Sequence, residues 1–163
     1  GNVYIARNRA FSRWNRASNT VTVLSPSGTL PDGSESMSAM DTTRGRILIA
    51  GGLSGDNHIY TIQSNTFQAI NFTGAAAGNI SGAGAAMIYV APLDRFFVRK
   101  GGAGATVYQI DPATFAVTVL PTTGGSPPST QNGPYNKFLY VPRLGGVVYV
   151  PTHSGNAWFL RLH

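Results

Sequence analysis

Cysteine is absent from this 163-residue chain, which excludes a disulfide framework, a thiolate metal site and a catalytic thiol. Charge is also scarce. Only 11% of residues are charged and only six are acidic, so neither charge-driven disorder nor a surface knit by ion pairs is expected. Long apolar runs are missing too. The longest, residues 85–93, falls well short of the roughly 20 residues that span a bilayer, so no membrane segment is expected. No window keeps apolar residues at three-and-four spacing for long, because glycine or proline interrupts most of them, and this argues against helices. What remains is a chain of one-domain length with 42% apolar residues, 20 glycines and 10 prolines, the composition of a turn-rich β protein.

Twelve Lys and Arg against six Asp and Glu give a formal net charge of +6, which raises the question of an anionic polymer. The cations do not form a stripe. Arg7, Arg9, Arg13 and Arg16 cluster near the start and the rest are scattered. Phe11 and Trp14 interleave with this cluster, as bases stacked on aromatics would require. Strand alternation offers a simpler reading, with Phe11 and Arg13 on one face, Ser12 and Trp14 on the other, and Trp14 packed between sheets. Nucleic acid is therefore not an expected partner.

Val21-Thr22-Val23-Leu24 recurs 96 residues later as Val117-Thr118-Val119-Leu120, and half that offset carries Thr66-Phe67 onto Thr114-Phe115. The period is 48, with a second column near 50 that pairs Gly51-Gly52 with Gly101-Gly102. Within each unit, short β-branched and aromatic runs bounded by Gly, Pro, Asn and Asp read as strands. First strands are expected near 36–41, 86–91 and 136–141, and second strands near 2–6, 46–50, 95–99 and 146–150. Third strands are expected near 10–15, 58–63, 106–111 and 157–162, and fourth strands near 20–24, 67–72 and 115–120. The fold class that follows is all-β, four-stranded antiparallel blade repeats of a β-propeller.

The run Gly101-Gly102-Ala103-Gly104-Ala105-Thr106-Val107-Tyr108-Gln109-Ile110-Asp111-Pro112-Ala113-Thr114 resembles a kelch repeat: a double glycine, an aromatic in the third strand, then an Asp-Pro turn with Thr. Gly51-Gly52, Tyr60 and Thr66 repeat it more loosely. Over nearly its whole length the chain resembles a divergent kelch or galactose-oxidase-type propeller. It departs from that pattern where Val21, Ala69 and Val117 replace the expected Trp, and where Pro151-Thr152-His153-Ser154-Gly155 replaces the double glycine. Residues 1–163 are read as a single propeller segment of fourteen strands, about three and a half blades, against the 4–8 of closed propellers. An incomplete propeller or arc is expected, completed by missing N-terminal blades or by self-association. The resemblance implies closure by an N-terminal strand added to the last blade, and a chain ending after a third strand leaves that place vacant.

Strand alternation puts the long connections 25–35, 73–85 and 121–134 on one face with the loops near 7–9, 53–58 and 151–156. Loops on a rigid scaffold are where binding residues concentrate. Arg9, Asp56, His58 and His153 are the candidate ligand-binding residues on that face. His58 and His153 occupy related loops of different blades, as two metal ligands or an acid/base pair would, but no third His or paired carboxylate follows at ligand-like spacing. Asp41, Asp94 and Asp111 stand in turn contexts, where Asp caps the backbone, leaving Asp32, Glu35 and Asp56 for acid/base work. Tyr60, Tyr108 and Trp158 are taken as equivalent third-strand residues in the packing between blades. Gly82-Ala83-Gly84 precedes strand-like residues, not a helix, so it is not a dinucleotide loop. A nucleophile elbow, a phosphate loop and the sialidase box are absent, and without Cys the cross-linked copper site of galactose oxidase cannot form.

These readings converge on a non-catalytic binding or interaction module that presents loops to a protein or carbohydrate, with no metal and no cofactor. The alternative is the C-terminal part of a propeller enzyme acting on carbohydrate. A composition rich in Ser, Thr, Asn and Gly and poor in Lys points to an extracellular or periplasmic setting.

Overall fold

The computed structural model describes all residues except Asn8, Arg9, Asp32, Gly33, Ala103, Ala105, Gln131, Asn132 and His163, and only the backbone of Arg7. Among the described residues there are fourteen strands and no α-helix. The first sheet holds β1 (Asn2–Arg7), β2 (Ala10–Asn15) and β3 (Thr20–Leu24). The second holds β4 (Ser36–Asp41), β5 (Arg46–Gly51), β6 (His58–Thr61) and β7 (Thr66–Ala69). The third holds β8 (Ala85–Val90), β9 (Arg95–Lys100), β10 (Val107–Ile110) and β11 (Val117–Leu120). The fourth holds β12 (Phe138–Val141), β13 (Gly146–Tyr149) and β14 (Trp158–Arg161). Each sheet is an antiparallel meander in chain order, as the repeat predicts.

Side-chain alternation explains why the sheets stack. On β5, Ile47 and Ile49 pair across to Tyr60 and His58, so these four share a face, and Leu48 and Ile59 share the other. The first face meets Phe11 and Tyr4 of the first sheet, together with Phe67. The second meets Met87, Phe96, Val98, Ile110 and Val117 of the third. Phe97 and Val107, on the far side of the third sheet, meet Phe138, Val147 and Tyr149 of the fourth. With both faces covered, β5 and β9 read as continuous apolar runs. The sheets are not closed into a ring, and Val3, Ile5, Val21 and Val23 of the first and Leu139 and Phe159 of the fourth are exposed.

Two placements differ from expectation. Phe11, not Trp14, fills the space between the first two sheets, its ring 4.6 Å from Tyr60 and 5.1 Å from Phe67. Trp14 pairs with Val3 and Val21 on the opposite face, where its Nε1 donates to Asn19 Oδ1 at 3.2 Å. The third-strand equivalences also shift: Tyr108 and Trp158 pair with Val98 and Tyr149, the register that His58 occupies against Ile49. Tyr60 aligns instead with Ile110 and Leu160, because each pairs with the second residue of the preceding strand.

Left-handed backbone marks the repeat as clearly as the strands do. Gly45, Asp94 and Gly145 turn the first hairpin of successive sheets, and Asn19, Asn65 and Phe115 turn the last. Gly28 and Gly74 follow Ser27 and Thr73, which form parallel bridges to Thr66 and Ala116 of the next sheet. A Cβ at Gly74 would lie 2.7 Å from the Val117 carbonyl oxygen, so glycine is required both by φ and by the close approach. These two bridges link the first sheet to the second and the second to the third, each at the start of the fourth strand.

The sheets converge at β4, β8 and β12, which lie side by side and form the inner edge of the arc. At the outer edge they splay, leaving a cavity of about 460 Å³ between the third and fourth. No helix among the described residues is long and apolar enough to cross a membrane.

Candidate functional site

The two ends of the strands differ in chemistry. One, the hairpin face, carries the first-to-second and third-to-fourth strand turns. Asp41 is fully buried there and accepts from the Arg44 backbone N–H at 3.0 Å and from Arg46 Nη2 at 3.0 Å. Arg44 grips Asp94 with two bonds of 2.7 Å, and the Tyr89 hydroxyl donates to Asp94 at 2.7 Å. The Arg44 guanidinium, then the Tyr89 hydroxyl, hold the Asp94 carboxyl far below the usual carboxylate range. Asp111 is lowered chiefly by the Thr114 and Ala113 backbone N–H groups, which it caps at 3.0 and 2.9 Å, and by Arg95. All three carboxylates are therefore engaged in capping and pairing, as their turn contexts predict.

The other end, the loop face, carries the second-to-third strand loops and the connections between sheets. These interlock through backbone bonds, Leu53 N to Ser34 O at 3.1 Å, Gly52 N to Gly82 O at 3.2 Å and Gly104 N to Pro127 O at 3.1 Å. Close approach needs the double glycine: a Cβ at Gly51 would lie 2.7 Å from Gly82 O, and one at Gly52 2.6 Å from Ser34 O.

The sequence-derived candidates scatter over this end. Asp56 and His153 are exposed in loops of the second and fourth sheets. His58 is not in a loop but opens β6, where it is buried and its Nδ1 has no hydrogen-bond partner. Arg9 and Asp32 lie outside the described residues. Among the described residues no three His, Cys, Asp or Glu side chains gather as a metal site.

What the structure does bring together is Glu35 and Tyr135. Each stands six residues before the end of its inner strand, the position held by Gly84 in the sheet between. All three are left-handed, with φ of 58°, 74° and 29° for Glu35, Gly84 and Tyr135. Glycine takes this conformation at no steric cost, whereas Glu and Tyr are strained there. The Tyr135 hydroxyl donates to Glu35 Oε2 at 3.4 Å, across the glycine-bearing middle sheet. Gly133 makes this reach possible, since a Cβ on it would lie 2.9 Å from the Gly84 Cα and 3.0 Å from the Tyr135 ring. Burial and the nearby Glu35 charge push the Tyr135 phenol up. Tyr135, but not Glu35, also lines a cavity of about 100 Å³ together with Ser36, Met37, Ser38, Met87 and Asn136. Glu35 was legible as a loop carboxylate, but its pairing with Tyr135 depends on register across three sheets.

A second cavity of about 100 Å³ lies between the third and fourth sheets, lined by Arg99, Tyr149 and Trp158 among others. Arg99 is buried and pairs with no carboxylate among the described residues. Its Nη2 donates to the carbonyls of Gly102 and Gly104, both at 2.8 Å, and its guanidinium stacks over the Tyr149 ring at 5.1 Å. These contacts give Arg99 a structural task, holding the loop that follows the Gly101-Gly102 pair.

No protein-family model matches the chain, and no curated protein matches it. Solved structures do, and they define a β-propeller-type fold. The chain is similar to a hydrazine synthase chain of Kuenenia stuttgartiensis with a TM-score of 0.59 and 13% identity, over 98% of this chain and 42% of that one. It is similar to TolB from Acinetobacter baumannii with a TM-score of 0.54 and 16% identity, over 92% of this chain and 34% of that one. The chain thus spans less than half the length of either, and at such identity the likeness shows the fold alone.

Proposed function

We propose that the chain is a binding module of divergent kelch-like propeller type that presents its loop face to a protein or carbohydrate outside the cytoplasm. The observation that carries this reading is the asymmetry of the two ends. Asp41, Asp94 and Asp111 of the hairpin face are engaged with Arg44, Arg46 and Arg95, whereas Asp56 and His153 of the loop face are exposed on a scaffold held by sheet packing. Polar groups free to meet a ligand and a rigid frame behind them are what recognition requires. Asp56 and His153 form the proposed rim with His58 packed below, and Arg9 is proposed with them from the sequence alone.

Glycan and peptide arrays probed with the folded chain test this. Binding is expected to fall at least tenfold on combined Asp56→Ala and His153→Ala substitution, and to be unchanged by Arg143→Ala on the hairpin face. Loss with Arg143→Ala and not with the loop pair would overturn the reading.

A further inference from the structure

Fourth strands in this fold are received by a repeated device. Ser27-Gly28 and Thr73-Gly74 each set a left-handed glycine behind a hydroxyl residue, and that hydroxyl residue bridges the fourth strand of the next sheet. Each bridge is a pair of backbone bonds. Ser27 N–H donates to Asn65 O at 3.1 Å and Phe67 N–H to Ser27 O at 2.8 Å, and Thr73 N–H donates to Phe115 O at 3.1 Å and Val117 N–H to Thr73 O at 2.8 Å. Thr123-Gly124 is the third copy of the device, with φ of +102° at Gly124 and the fourth sheet next in the chain. Among the described residues it makes no bridge. A Cβ at Gly28 or Gly74 would run into the Phe67 or Val117 carbonyl oxygen of the received strand, whereas a Cβ at Gly124 would meet nothing within 4 Å. The fourth sheet has the matching edge. Among the described strands β14 pairs with β13 alone, and Leu162 N–H bonds back to Gly145 O at 2.9 Å. By alternation the N–H and C=O groups of Phe159 and Arg161 turn to the free edge. In the third sheet Asp111 holds the place of Arg161, and its N–H donates to Ala116 O at 3.0 Å where the fourth strand begins.

We propose that the edge of β14, together with Thr123-Gly124, is a docking slot for one extended segment of a partner protein, laid antiparallel to β14 with an acidic residue opposite Arg161 and a β-branched or aromatic residue opposite Leu160. An unpaired edge is a template for a strand of another chain, with backbone bonds giving affinity and side-chain pockets specificity. The pocket is the cavity of about 460 Å³ between the third and fourth sheets, lined by Phe97, Leu120, Leu160 and Leu162 with Arg95 and Arg161. Phe67 and Val117, opposite Tyr60 and Ile110, are buried against the preceding sheet, and Leu160 holds the same register, so the residue opposite Leu160 faces this cavity. Charge selects the acidic opening. No Asp or Glu follows Asp111 in the chain, Arg95 already pairs with Asp111 at 3.2 Å, and Arg161 is exposed and pairs with no carboxylate among the described residues. A second copy is the poorer occupant, because its β3, β7 and β11 are paired in their own sheets and its first and fourth sheets hold arginine without Asp or Glu. The slot lies apart from the loop-face rim, so the two readings fail separately.

The probe is the β11 sequence behind two glutamates, the dye-labelled peptide Glu-Glu-Val-Thr-Val-Leu, titrated with the full chain and followed by fluorescence anisotropy. Saturable binding is expected. N-methylation of its first valine removes the N–H that meets Thr123 O and spares the ladder to β14, and is expected to weaken binding at least tenfold. Gly124→Ala is expected to do the same with the circular dichroism of the chain unchanged, since its Cβ has room only while the slot is empty. Arg161→Glu is expected to weaken the glutamate peptide at least tenfold and to favour Lys-Lys-Val-Thr-Val-Leu instead. Combined Asp56→Ala and His153→Ala substitution is expected to leave the peptide bound as before, and a loss there would move its binding to the loop face and overturn the slot. No saturable binding, or binding indifferent to both the N-methyl group and Gly124→Ala, overturns it too. Equal binding of the two peptides by the unsubstituted chain overturns the acidic chemistry. A dimer in light scattering that the peptide splits puts a second copy in the slot and overturns the partner.

Discussion

At the hairpin face Arg44 closes on two carboxylates at once, Asp41 and Asp94, while at the loop face Glu35 meets, among the described residues, a tyrosine hydroxyl at 3.4 Å. The same strands and the same repeat produce both ends. The hairpin face is built for stability, because its turns are short and repeated and Asp side chains can cap them from within. The loop face has longer connections, so its backbone is tied by glycine-dependent approaches between loops, and its carboxylates Glu35 and Asp56 are exposed. A propeller-type fold can thus place its stabilising charges and its recognition groups on opposite ends of one set of strands.

Substitutions can break this contrast, beginning at Asp41. Its carboxylate is fully buried and serves Arg44 and Arg46 together, so Asp41→Ala is expected to cost about 3 kcal/mol, read as a lowered urea midpoint. Gly74→Ala comes next. A Cβ there meets the Val117 carbonyl and φ is +88°, so a cost of about 2 kcal/mol is expected, and no loss would mean that the bridge to the next sheet is dispensable.

Acid unfolding sharpens the contrast at a smaller scale. The folded value of the Asp94 carboxyl lies below its unfolded value, so its contribution is complete above about pH 4 and is lost as pH falls from there through the folded value. Asp94 is 41% exposed, so screening by solvent and salt keeps the effect small. Asp94→Asn is expected to flatten that part of the stability curve, and 1 M salt to do the same. An unchanged acid limb would show that Asp94 adds nothing to folding. Smallest of all, His153→Ala is expected to shift stability by no more than about 0.5 kcal/mol, since the residue is exposed in a loop. A larger loss would mean that the loop face also carries the fold.

Much of the fold was legible in sequence. β2, β3 and β4 have the predicted bounds, and the remaining strands fall within about three residues of theirs, because glycine, proline and asparagine punctuate runs whose alternation is undisturbed. Asp111 was legible as a cap for the same local reason. Trp14 was not, since alternation assigns it a face but cannot say which face has a neighbouring sheet. Nor was the burial of His58, which lies just inside β6 although the preceding residues Ser54, Gly55 and Asp56 read as loop.

The amino-acid sequence by itself determined the all-β class, the near-48-residue repeat and the two ends to which each turn belongs, because these depend on contacts between neighbours a few residues apart. Tertiary structure alone decided which residues meet from different repeats: Arg44 with Asp94, Phe11 with Tyr60, and Glu35 with Tyr135, a hundred residues away. Such meetings depend on how sheets stack and in what register, and that is a property of packing that no local spacing encodes.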